Sequence, residues 1–127
     1  MRYGYIKQLD CDFHQAAQRT RDALSTEGFG VLSEIDVQAT LKKKLDLDRP
    51  RYLILGACNP QLAHRALEAE PHIGLLLPCN LVVREADDGV EVSIAKPEAM
   101  FQLVDNPALG DIAEEVDQKL QRVLDRI

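Results

Sequence analysis

Two alternating apolar runs on either side of a turn signal constrain the fold of this chain more than any other stretch. Leu81 and Val83, then Val90, Val92 and Ile94, recur at every second position around Asp87-Asp88-Gly89. An alternation of two puts one set of side chains on a single face of a strand. Aspartate and glycine supply the backbone freedom that a tight reversal needs. The runs predict an antiparallel hairpin with one face turned inward. Counting along it, Cys79, Leu81 and Val83 face one way, and Asn80, Val82 and Arg84 the other. Pro78 has no amide hydrogen for a ladder, so it belongs at the start, the edge or a bulge of that strand.

An inward face needs a cover, and the C-terminal stretch offers one. Leu109, Ile112, Ala113, Val116, Leu120, Val123, Leu124 and Ile127 fall at helical spacing after the cap-then-proline pair Asn106-Pro107. Packing on the sheet explains that stripe, and it also suits a homodimer contact. Asp12 with Gln15 three residues later forms a capping box ahead of Phe13, Ala16, Ala17, Thr20 and Leu24. The spacing predicts a helix to about Glu27, closed by Gly28. Phe29 to Ile35 reads as a strand, with Val31, Ser33 and Ile35 on one face and Leu32 and Glu34 on the other. Asp36 then caps a short helix whose apolar stripe is Val37, Leu41 and Leu45.

Tyr52-Leu53-Ile54-Leu55 is continuous enough to predict a strand covered on both faces. Asn59-Pro60 opens the next helix, with Leu62, Ala63, Ala66 and Leu67 as its buried stripe and Pro71 as its stop. Tyr3, Tyr5 and Lys7 around Ile6 give a short first strand, and Pro97 to Phe101 a turn or short helix. These elements sum to an α+β fold in a single domain over residues 1–127, a mixed or mainly antiparallel sheet of about five strands packed against helices.

Composition narrows the function. Apolar residues make up 46% and charged residues 28%, ordinary values for a folded domain. Twenty-one acids against fifteen bases give a net charge of −6, a field that opposes phosphate backbones, so nucleic acid is not an expected partner. Lys42-Lys43-Lys44 reads as a solvated helix face. No apolar run reaches membrane-spanning length, and the first residues carry no signal-peptide stretch. Three cysteines cannot all pair within one chain, which points to reduced thiols and a cytoplasmic protein. Gly28-Phe29-Gly30 matches no phosphate-binding fingerprint, and no cofactor is expected.

Chemistry concentrates in two mirrored tripeptides, Cys58-Asn59-Pro60 and Pro78-Cys79-Asn80. Cys58 precedes a helix start, where the helix field and free amides favour a thiolate. If the two strands are neighbours, both thiols and both asparagine amides can meet around one pocket at a sheet end. The structural alternative is nearly as detailed. Cys58 can pack on Ala63 across the cap, Asn59 can serve as the cap, and Asn80 can satisfy backbone groups beside Pro78. Cys11, ahead of Asp12, has no partner motif. Cys58, His64 and Cys79 lack a zinc spacing, and His64 projects off the helix stripe, so no metal is expected. Glu34, beside the Asp36 cap, is the acid best placed to meet a ligand, and Lys42 could meet an anionic group.

In order along the chain, the motifs Gly28-Phe29, Glu34-Ile35-Asp36-Val37, Leu41-Lys42-Lys43-Lys44, Tyr52 to Pro60 and Gly74 to Val83 resemble the family known as domain of unknown function 302. The resemblance spans most of the chain. It implies a small α+β fold without a settled activity, in which the positions of Cys58-Asn59-Pro60, Pro78-Cys79-Asn80, Glu34 and Lys42 are hallmarks. Together these observations favour a small-ligand-binding domain with a pocket near Cys58, Asn59, Cys79 and Asn80. A thiol-dependent enzyme or redox protein acting on a small molecule is the first alternative, and a structural or protein-interaction domain is the second.

Overall fold

A computed structural model describes residues 1–127 and places five strands in one sheet, in the order β1-β5-β4-β3-β2. The strands are β1 (Gly4–Leu9), β2 (Gly30–Asp36), β3 (Tyr52–Cys58), β4 (Cys79–Ala86) and β5 (Gly89–Ala95). Every neighbouring pair is antiparallel. The expected hairpin is β4 and β5, which closes with Ala86 opposite Gly89, and Gly89 takes a φ of 131° that a side chain would oppose. Five helices join the strands: α1 (Phe13–Thr26), α2 (Val37–Leu45), α3 (Pro60–Ala69), α4 (Pro97–Phe101) and α5 (Gly110–Arg126). Short 3-10 turns cover Pro71–Leu76 and Pro107–Leu109. The fold is α+β, and no helix is long and apolar enough to cross a membrane.

The two faces of the sheet differ sharply. On one, Leu55, Leu81, Val83 and Val92 are fully buried beneath α1 and α5, with Ile94 and Val90 nearly so. The α5 stripe meets them with Ile112, Ala113, Val116, Leu120 and Val123, all buried within this chain. On the other face, Ile6 and Ile35 stay 47% and 49% exposed, and Ile54, Val82 and Ser93 are only half-buried. This corrects the expectation that β3 is covered on both sides. Leu55 and Ala57 lie under the helices, whereas Tyr52 and Ile54 lie on the uncovered face. A tyrosine or an isoleucine suits a half-exposed pleat by shape, so an unbroken apolar run does not by itself signal two-sided burial.

Two other expectations shift for local reasons. A bulge between Val31 and Ser33 inserts Leu32 into β2, which sets Val31 opposite Ala57 and Glu34 opposite Leu55, on the helix side. Ser33 and Ile35 turn to the uncovered face, so the predicted alternation breaks at one residue. The α2 stripe buries nothing: Val37 and Leu41 are half-buried and Leu45 is exposed. That helix is held mainly by its cap, in which Asp36 accepts from the Ala39 amide at 2.9 Å. Leu67 on α3 is likewise 43% exposed, leaving Leu62 and Ala66 as the buried pair.

Candidate functional site

The two cysteine tripeptides come together where β3 leaves the sheet and β4 enters it. Ala57 stands opposite Cys79, Gly56 opposite Asn80, and Gly30 opposite Cys58. Asn59 caps α3 by accepting from the Leu62 amide at 3.3 Å, and its Nδ2 donates to the Glu27 carbonyl at 3.1 Å. One side chain therefore ties the start of α3 to the end of α1. Gly28, at a φ of 80°, passes so close that an added Cβ would lie 3.1 Å from that Nδ2. On the uncovered face Pro78 closes over Gly56, whose added Cβ would collide with Ser33 Oγ and come within 2.7 Å of Pro78 Cγ. The Leu77-Pro78 peptide is cis. Pro78 precedes β4, in keeping with a residue that cannot donate to the ladder.

Behind these residues lies an inner cavity of about 20 Å³, lined by Phe29, Cys58, Leu62, Cys79, Phe101 and neighbours, with Asn59 its one polar member. An outer cleft of about 250 Å³ opens beside it, walled by the chain from Leu75 to Asn80 and by Ala95, Pro97, Met100 and Phe101. Leu77, Cys79 and Phe101 line both spaces. None of the residues around the outer cleft is charged. Wider and shallower grooves of about 380 and 400 Å³ flank the 97–110 connection, and they expose carboxylates instead.

Burial decides the state of both thiols. It pushes Cys79 up to about 11, with a further push from the neighbouring Cys58, and it raises Cys58 as well. The helix-start field expected to favour a Cys58 thiolate is outweighed. The Leu62 amide is taken by the Asn59 side chain and the Ala63 amide by the Asn59 carbonyl, at 2.9 Å, while the cavity is apolar. At neutral pH both groups are protonated, small and hydrophobic.

The other predicted residues are spread more widely. Asn80 is exposed on the face opposite Cys79 and forms part of the cleft rim. Glu34 is ion-paired to Arg21, whose Nε lies 3.0 Å from it, and sits four residues along β2 from the Cys58 partner Gly30, about 13 Å of strand. Lys42 is held by Asp46 at 2.9 Å and Asp48 at 3.2 Å beyond the far end of that strand. The sheet end thus gathers Cys58, Asn59 and Cys79, with Asn80 at its rim. Glu34 and Lys42 stand apart. No three His, Cys, Asp or Glu residues are grouped to hold a metal ion.

Sequence pattern alone passed over a second polar cluster. Asp117, only 3% exposed, receives the Tyr5 hydroxyl at 2.9 Å and Gln121 Nε2 at 2.6 Å. Burial first, then the Asp117 hydrogen bond and charge, lifts the Tyr5 phenol to about 12. The available signal was an acid four residues after Ala113 and three before Leu120, on the edge of the α5 stripe. The cluster fastens α5 to the edge strand β1 and faces no cleft described above.

The model of a family described as "Domain of unknown function DUF302" matches residues 5–127. Among curated proteins, none matches the chain. Among solved structures, the chain is similar to the crystal structure of an uncharacterized conserved DUF302 protein from Bacillus stearothermophilus. The two are 33% identical, the likeness covers 98% of this chain and 97% of that one, and the TM-score is 0.91.

Proposed function

The chain belongs to the DUF302 family, and on that premise we propose that it binds a small, uncharged, largely apolar molecule in the cleft between the Leu75–Asn80 segment and α4. The observation that carries this reading is the continuity of apolar wall from cleft to inner cavity through Leu77, Cys79 and Phe101. An apolar lining with one polar group at the rim is the usual make-up of a small-molecule site, and 250 Å³ is at its small end. Asn80 is that polar group, able both to donate and to accept. With no lysine or arginine at the wall and a chain charge of −6, an anion gains nothing there. Cys79 and Met100 contribute polarisable sulfur, which favours aromatic or unsaturated ligands.

The raised thiols weigh against covalent catalysis, because attack requires a thiolate. The reading also takes residues 1–127 as one domain working in a reducing cytoplasm, where such thiols stay free. Benzyl alcohol titrated into isotopically labelled protein provides the test. Amide shifts at Leu77, Cys79, Asn80 and Phe101 are expected, with none from benzoate, and Met100→Trp should abolish them by filling the cleft. Shifts confined to other regions, or a response untouched by Met100→Trp, would overturn the proposal.

A further inference from the structure

The uncovered face of the sheet is organised in three rows that cross the strands. The middle row is Ile6, Ser93, Val82, Ile54 and Ile35, each the ladder partner of the next. On one side runs a row of long side chains, Gln8, Glu91, Arg84 and Tyr52. On the other side lie Gly4, Ala95, Asn80, Gly56 and Ser33, small except for Asn80. The long row is internally neutral. Arg84 reaches Glu91 at 3.0 and 3.1 Å, Gln8 donates to the same carboxylate at 3.0 Å, and Glu91 is only 9% exposed as a result. An uncharged face on a chain of charge −6 is a place where a second copy can approach without repulsion.

We infer that this face is the interface of a homodimer, two sheets packed face to face about a twofold axis that runs across the strands along the middle row. Such an axis sets each middle-row residue over its own counterpart and lays the long row of one copy on the small row of the other. Tyr52 then meets Gly56, Arg84 meets Asn80, Glu91 meets Ala95 and Gln8 meets Gly4, so that length on one side fills the space left by smallness on the other. The alternative axis, parallel to the strands, stacks Arg84 on Arg84 and leaves the small rows facing an empty gap. Face-to-face sheets pack about 10 Å apart, a gap that pairs of long and short side chains fill and pairs of short ones do not.

The area is sufficient. Five strands about 4.8 Å apart and some 20 Å long present roughly 400–500 Å² in flat projection, so two copies bury about 900 Å² before surface relief is counted. Met1 and Tyr3, 56% and 63% exposed, border a groove of about 130 Å³ beside Val82 and Ser93 and enlarge the contact. That brings it near the lower end of stable interfaces, about 1,200 Å². The α5 stripe, the other surface suited to pairing, is already buried inside the chain. Asn80 belongs to both this face and the cleft rim, so the dimer places Arg84 of the second copy at the mouth of the ligand cleft.

Light scattering on the eluting protein is the test. The wild type is expected at about twice 14.2 kDa at micromolar concentration. Val82→Arg should run as a single folded chain with an unchanged amide spectrum, while Leu103→Arg, at an equally exposed site outside the face, should remain a dimer. A wild type that is monomeric at 100 μM would overturn the inference, as would a dimer that survives Val82→Arg or is lost in Leu103→Arg. In mixed-labelled protein, the Tyr52 ring should show contacts between copies to Ser33 and Asn80. Contacts to Glu91 instead would overturn the orientation of the axis.

Discussion

The two faces of the sheet are made of similar residues and do opposite things. Leu81 and Val83 alternate with Val82 along one strand, yet the first two are fully buried and the third only half. What separates them is the layer above. On the helix side, α1 and α5 close a core in which even Cys58 and Cys79 are governed by burial. On the other side, the rows are finished only by polar pairing between Arg84 and Glu91 and by the seat of Pro78 on Gly56. The lesson is that identical strand periodicity gives a core on one face and a contact surface on the other, with the cysteine site at the end where the two meet.

Substitutions can break that contrast in graded steps. The largest effect belongs to Leu81→Ala, which leaves a cavity under α1 and α5 and should cost about 2–5 kcal/mol in urea unfolding. Val82→Ala, next to it, should cost under about 1 kcal/mol at concentrations too low for association. Equal losses from the two would erase the distinction between the faces. Gly56→Ala comes next, at about 1–3 kcal/mol, because its methyl collides with Ser33 and Pro78 where the β4 entry is seated. Asn59→Ala removes the α3 cap and the tie to Glu27, for about 1–2 kcal/mol. A change within a few tenths of a kcal/mol in either variant would mean that the sheet end holds itself by other contacts.

The smallest effect is a pH dependence on the helix side. The Tyr5 phenol sits at about 12 when folded against an unfolded value near 10, so its contribution is complete below pH 10 and is lost as pH rises through 12. Thermal unfolding from pH 9 to 12 should show a fall in Tm that Tyr5→Phe lessens. An identical alkaline fall in both proteins would remove Tyr5 as its source.

Much of the helix side was legible in the sequence because its signals are local. Asp12 with Gln15 fixed the start of α1, Asn59-Pro60 that of α3, and the α5 stripe identified its own buried positions before the sheet was known. The turn at Asp87-Asp88-Gly89 likewise set the β4–β5 register and, through it, the opposite facing of Cys79 and Asn80. What the sequence could not show depends on distant neighbours. The bulge at Leu32 arises from pairing with β3, and the uncovered side of β3 reflects which helices exist to cover it. The raised thiols follow from Phe29, Leu62 and Phe101 arriving from three separate segments, and helix-start chemistry alone points the other way. Glu34 and Lys42 share ordered motifs with the cysteines without sharing their place, because β2 carries them away from the site end.

The account rests on a closed, apolar site whose cysteines are protonated packing groups. Native-state alkylation with iodoacetamide from pH 6 to 11, followed at each cysteine by mass spectrometry, tests this most directly. Cys79 should resist until the pH nears 11, and Cys58 should react only above the range of an ordinary thiol. Rapid modification of either at pH 7 would contradict the account, since it would reveal an accessible thiolate where burial is held to forbid one.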